Sequence, residues 1–323
     1  NVNYFCRVFS LTKHPTPRPE NPLKRVHLRL LATSDLHMHI MAHDYYNDES
    51  VSHYGLSRTA TLIDAMRAET PNCLLLDNGD ILQGNPLGDL MSRPDSMPAG
   101  QLHPMIRTMN SLRYDAATLG NHDFDFGVPT LQRALEGADF PFVSANVLLK
   151  PDAEGTQSEL MLPASTILHR QLQDADGKLH DLKIGIVGVL PPQVMNWSRQ
   201  VLDGRVWVQD ILPAARSQVS ALKTQGADII IALAHSGIGD ADAYDGMENA
   251  VVPIAGLDGI DAIVAGHTHF VFPSETSAIP ATDFVCPSTG KIHGKPVVQP
   301  GFWGSHLGVI DLMLEAGHTG WRV

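Results

Sequence analysis

Five short apolar runs in this chain end the same way, in side chains able to hold a divalent cation. Residues 26–31 lead into Asp35 and His37, and residues 73–76 into Gly79-Asp80. Residues 116–119 stop at Gly120 and are followed at once by Asn121, His122, Asp123 and Asp125. Residues 228–234 end in His235, and residues 261–265 in Gly266-His267-Thr268-His269. Each case alone has a plain explanation: a helix cap with a surface histidine, a turn aspartate, or a core histidine bonded to backbone. Repetition at five strand ends removes that explanation. Polar groups at the mouth of a buried strand are costly unless ions, partners or water satisfy them. In open α/β sheets the space just beyond the carboxyl ends of the strands is where ligands bind.

Helical periodicity fills the gaps between these runs. Leu56, Ala60, Ile63 and Met66 mark a helix over residues 55–70, and others are expected at 103–112 and 128–136. A further helix carries Ile211, Ala215, Val219 and Leu222, with Asp210 as its N-cap and Gly226 as its stop. Residues 26–31 alternate as a strand with one buried face, and strands are expected at 142–147, 183–190, 296–299 and 307–314. The irregular stretch 150–180 is assigned peripheral strands. His267 and His269, read as extended, would face one side. Alternating strands and helices define an α/β fold with mostly buried strands. Residues 1–24, with Pro15, Pro17, Pro19 and Pro22, read as an extended leader, so the fold should start at Val26. The tail shows no closing element after residue 314, and no internal repeat is visible.

Composition narrows the function classes. With 323 residues, 43% of them hydrophobic, the chain can bury a sizeable core. A formal charge of −12 and the lack of a basic stripe argue against binding a nucleic-acid polymer. Three scattered cysteines rule out a thiolate zinc cage. No 18-residue apolar run exists to span a membrane.

Imidazole and carboxylate without thiolate suit Zn²⁺, Mn²⁺, Fe or Co. Asp80 can bridge two cations through its two oxygens, and Asn121 adds a ligand without charge. Two divalent ions against Asp35 and Asp80 leave net positive charge, which attracts phosphate and hydroxide. Paired ions about 3.5–4 Å apart can hold both the attacking and the leaving oxygen of an in-line displacement.

This ordered set resembles the calcineurin-like metallophosphoesterases, and within them the catalytic domain of the 5′-nucleotidase family. The stretches DLHMH at 35–39, Asp44-Tyr45-Tyr46, VLPPQVMNW at 189–197 and PGFWGSHLG at 300–308 are most similar to the bifunctional 2′,3′-cyclic-nucleotide 2′-phosphodiesterase/3′-nucleotidases. The resemblance runs from about Val26 to about Leu314. It implies a four-layer α/β/β/α sandwich. It implies one metal on Asp35, His37, Asp80 and His269, and a second on Asp80, Asn121, His235 and His267. His122 would stabilise the transition state or protonate the leaving oxygen, oriented by Asp125, while a metal-bridging hydroxide attacks phosphorus. Asn121 and His122 would also touch the substrate, a small nucleotide. Position 123 is Asp where many members have Glu, and position 125 is Asp, as in 5′-nucleotidases, where the cyclic-nucleotide branch often has Asn. Members carry a C-terminal domain that binds the base, so residues 25–323 read as a catalytic domain cut from a longer, periplasmic protein. The alternatives are a 5′-nucleotidase or nucleotide-sugar hydrolase with the same ligands, or a non-catalytic metal-binding module.

Other polar residues are assigned blander roles. His39, His43 and His53 are expected to be solvent-exposed, with His39 the one spare ligand among them. Arg58 is read as surface or capping, Asp77 as a turn or supporting residue, and Gly185/Gly188 as no dinucleotide loop.

Overall fold

The computed structural model describes residues 5–9, 24–98, 100–150, 158–274, 276, 278–317 and 320–323. Two sheets face each other. The first runs, edge to edge, Phe5–Phe9, Leu307–Gly317, Arg25–Thr33, Cys73–Asp77, Ala116–Thr118 and Phe142–Val143. The second runs Val285–Cys286, Lys291–Ile292, Lys295–Pro300, Ala262–Ala265, Ile229–Ala234, Leu179–Val189 and Ser165–Gln173. Arg25–Thr33 through Phe142–Val143 are mutually parallel, as are Leu179–Val189, Ile229–Ala234, Ala262–Ala265 and Lys295–Pro300.

Side-chain alternation explains why the layers stack. Leu28, Leu30, Leu74 and Leu76 point inward against Ile184, Ile186, Ile229 and Val264 of the facing sheet. The opposite faces of the same strands, Leu31 and Leu75, meet Ile63, Met66, Ile106 and Leu131 of the helices Leu56–Glu69, Pro104–Leu112 and Val128–Leu135. Ile230, Ile263 and Val297 meet Ala215, Val219 and Ile254 of Ile211–Thr224 and Val251–Ala255. The result is the expected α/β/β/α order, with no polar face left on the central strands.

Several expectations change. The strand Arg25–Thr33 is not half-exposed: Leu31 is fully buried, and Arg29 is buried beneath Leu56–Glu69 because Asp311 and Glu69 pair with it at 2.7 and 2.6 Å. Phe5–Phe9 lies within the span read as leader, yet pairs parallel with Leu307–Gly317, covering what would be an open edge; residues 10–23, with the prolines, lie outside the described residues. The tail closes as a hairpin, Gly320–Arg322 on Leu307–Gly317. The strand expected over 142–147 is broken between Val143 and Val147, where the Asn146 amide donates to the Leu190 and Gln209 carbonyls and Val147–Leu149 pairs with Val206–Val208 instead. Asp210 precedes its helix but does not cap it; its carboxylate accepts the Gly246 N–H.

At the rim formed by the amino ends of the strands, Asn72 joins the sheets. Its Nδ2 donates to the His27 and Gln173 carbonyls, and its Oδ1 accepts the Gln173 N–H. All the parallel strands deliver their carboxyl ends to the other rim. No helix among the described residues is long and apolar enough to cross a membrane.

Candidate metal centre

At that carboxyl rim the first sheet contributes Asp35, His37, Asp80, Asn121 and His122, and the second contributes His235, His267 and His269. Two groups emerge with ligand atoms close enough to share a cation: Asp35/His37/His269 and Asp35/Asp80/His235. In the first, His37 Nε2 lies 3.1 Å from His269 Nε2, and Asp35 Oδ1 lies 3.4 Å from the latter. In the second, His235 Nε2 is 3.1 Å from Asp80 Oδ2 and 3.2 Å from Asn121 Oδ1. Asp80 does not present both oxygens as expected. Its Oδ1 accepts the His122 N–H at 2.7 Å, so Oδ2 alone faces both His235 and, at 3.8 Å, His37.

The donor set fits cations rather than a closed hydrogen-bond network. The Nδ1 positions of His37 and His235 sit 2.7 Å from the Gln83 and Asn78 carbonyls, which leaves each Nε2 as a lone pair aimed into the cluster. The His37 and His269 Nε2 atoms face each other at 3.1 Å, a spacing that a shared proton or a shared cation satisfies. Electrostatics agree. Burial would raise the Asp35 and Asp80 carboxyls, yet His235 holds both below the usual range. Burial would equally discourage a proton on His235, but Asp80 and Asp35 push its pKa up to about 10. The cluster favours positive charge.

His267 is placed apart from both groups. Its Nε2 reaches Glu248 at 2.8 Å, and its ring meets that of His235 edge-on at 5.5 Å between centroids. The segment is not extended: His267 and His269 have φ of +70° and +60°, so their rings go to different partners. His122 sits beside the cluster, 2.7 Å from Asp125 through Nδ1; Asp125 in turn accepts from Ser198 Oγ at 2.7 Å. The hydrogen bond that His122 Nδ1–H donates to Asp125 raises the His122 pKa.

Close packing assembles these loops. Asp123 accepts backbone N–H groups from Asp80, Ile81, Leu82 and Gly120, locking the second and third strand ends together. A Cβ on Gly120 would overlap the Asp80 carboxylate. Asp77 accepts from Thr33 and Gly79, in the supporting role expected. His39 is not exposed: it is buried and stacked on Trp303 at 4.2 Å, while His43 is half-buried and His53 is exposed. Glu248 and Ser198 escape sequence reasoning, since neither follows a recognisable strand end; Trp303 lies in the PGFWGSHLG stretch but is assigned no role there.

A sandwich of two mainly parallel-stranded layers with acids and imidazoles converging on one rim defines a metal-dependent phosphoesterase class. Residues 28–271 match the calcineurin-like phosphoesterase family, and the chain belongs to it. It is 44% identical to the trifunctional nucleotide phosphoesterase protein YfkN of Bacillus subtilis over 96% of this chain and 21% of that protein. It is 43% identical to the 2′,3′-cyclic-nucleotide 2′-phosphodiesterase/3′-nucleotidase of Yersinia enterocolitica over 92% of this chain and 44% of that one. The crystal structure of the Bacillus subtilis calcineurin-like phosphoesterase YfkN superposes with a TM-score of 0.84 at 43% identity, covering 93% and 88% of the two chains. This chain therefore spans less than half the length of these curated relatives.

Proposed function

We propose that residues 25–323 form the catalytic domain of a two-metal phosphoesterase acting on nucleoside 2′,3′-cyclic phosphates and 3′-nucleotides. The observation that carries the reading is the pair of ligand groups sharing Asp35, with Asp80 Oδ2 between His37 and His235. Identity of 43% to a 2′,3′-cyclic-nucleotide 2′-phosphodiesterase/3′-nucleotidase supports the substrate class. Asp35, His37, Asp80 and His269 would hold one ion, and Asp80, Asn121, His235 and His267 the other. Bound ions polarise phosphoryl oxygens and lower the pKa of water to about 7. Asn121 and His122 contact the phosphate. Asp125 accepts the hydrogen bond of His122 Nδ1–H, which favours the protonated ring and leaves Nε2–H to hand its proton to the departing ribose oxygen. Ser198 fixes Asp125 from behind. A periplasmic location and a base-binding domain elsewhere in the full-length protein belong to the same reading.

The test is a comparison of 3′-AMP, 5′-AMP and 2′,3′-cyclic AMP with the 323-residue chain and the full-length protein, alongside elemental analysis of metal per chain. Preference for 5′-AMP would overturn the substrate assignment. Metal-replete protein inert toward every phosphoester would overturn catalysis itself. His122→Ala is expected to lose most turnover and keep both ions, whereas Asp80→Asn is expected to lose metal.

A further inference from the structure

His267 is held differently from two other histidines of the cluster. His37 and His235 are each bonded through Nδ1, 2.7 Å from a main-chain carbonyl. His267 is bonded through Nε2 instead, 2.8 Å from a side-chain carboxylate oxygen, Glu248 Oε1. A carboxylate only accepts, and a neutral imidazole carries one N–H. The His267 proton therefore stands on Nε2, and the nitrogen with the lone pair is Nδ1. The indole of Trp197 covers one face of the ring, with centroids 5.4 Å and planes 25° apart. Both contacts hold the ring, but Glu248 alone decides where its proton sits.

The loop that brings Glu248 here is anchored on the strand end it leaves. Ser236, next after His235, accepts the Ala250 N–H at 2.8 Å and donates to the Glu248 carbonyl at 2.7 Å. The Asn249 side chain accepts the Gly237 N–H, and a Cβ on Gly237 or Gly239 would overlap Asn249. Further along the loop, Gly246 accepts from Gln193 Nε2 and donates to Asp210. A carboxylate carried on a loop pinned at its stem and again at Gly246, and aimed at one ring nitrogen, is a placed group.

We infer that Glu248 is a positioning residue: it fixes the tautomer and direction of His267 and so sets how tightly the cation on the His267 side is held. The inference rests on the two-ion reading above and deepens it. A carboxylate bonded to the far nitrogen of a ligating imidazole makes the ring a stronger donor and stops it turning; such partners are worth about 10–100-fold in metal affinity. Asp35 and Asp80 both stand on the first sheet, so Glu248 also brings negative charge to the side that supplies His235, His267 and His269.

Calorimetric titration of manganese into the metal-free 323-residue chain reads this without any turnover. The parent is expected to bind two ions. Glu248→Ala should weaken one of them about 10–100-fold, spare the other and leave the metal-free melting temperature where it was. Glu248→Gln keeps an acceptor and loses the charge, so it should recover part of the loss. Adding Glu248→Ala to His267→Ala should change nothing further, because the carboxylate acts through that ring. Two ions bound by Glu248→Ala with the parent's affinities overturn the inference and leave the two-ion reading standing. Equal weakening of both ions, or a further loss in the His267→Ala background, makes Glu248 a merely structural residue and overturns it as well. A parent that binds one ion, weakened in Glu248→Ala, upholds the positioning role and sinks the two-ion reading; a parent that binds none sinks both.

Discussion

Asp35, His37, Asp80, His267 and His269 all adopt φ between +45° and +70°, a region L-residues avoid. Strain of this kind costs about 1–3 kcal/mol per residue and persists only where the surroundings over-determine it. Here the strained residues are those that bring Asp35, His37, Asp80 and His269 together, with His267 beside them. With metal removed by chelator, Asp80→Gly should therefore be more stable than Asp80→Ala by about 1 kcal/mol, read from denaturant midpoints. Equal stabilities would mean the backbone at 80 is relaxed. Ser198 offers a second test at this scale. Ser198→Ala frees Asp125 Oδ1, and kcat should drop several-fold with metal content intact; Ser198→Thr should recover part of it. The residue types of the centre were legible in the sequence because they recur at strand ends. Glu248 and Ser198 were not, since a side chain that reaches a histidine or a carboxylate from a distant loop leaves no local pattern.

Among the elements, the helix Pro104–Leu112 is capped in an unusual way. His103 occupies its N-cap without a capping side-chain bond, is buried, and has no hydrogen-bond partner for Nδ1 among the described residues. Burial, aided by Arg133, pushes its pKa down to about 4 from 6.5. A histidine depressed in the fold is neutral there and protonated more readily when unfolded. Its contribution is complete above pH 6.5 and is lost as the pH falls through about 4, with an upper bound of about 3 kcal/mol. His103→Asn should flatten the decline of the melting temperature between pH 6.5 and 4; an unchanged slope would assign the acid sensitivity elsewhere. Strand and helix order was readable from periodicity because buried strands are continuously apolar. The break at Asn146, the capping duty withheld from Asp210 and the burial of the second face of Arg25–Thr33 are tertiary outcomes, set by partners more than 40 residues away in two of the three cases.

In the whole molecule, the candidate ligands are divided between the two sheets, with Asp35, His37, Asp80 and Asn121 on one and His235, His267 and His269 on the other. Metal that binds only the folded state adds about 4 kcal/mol at a thousandfold excess over Kd. Manganese at that excess should raise the melting temperature by several degrees, and EDTA should reverse it; Asp80→Asn should show no such response. On the other rim, Asn72→Ala strands the Gln173 backbone and should cost about 2 kcal/mol without changing metal affinity, measurable by denaturation and by metal titration. The layer between the sheets is mainly apolar and resists separation without opposing sliding. Directional bonds cross at the margins: Asn72 at one rim, and at the other Asn78, which donates to the Ala234 carbonyl and whose own carbonyl meets His235 Nδ1. A chelated molecule should behave like a shell with its hinge intact and its latch loosened, held at the catalytic mouth by the Asn78 bonds alone while the Asn72 end stays shut. Hydrogen exchange that quickens around residues 35–37, 80, 121 and 267 on chelation, and holds steady around 72 and 173, is the signature of that asymmetric breathing.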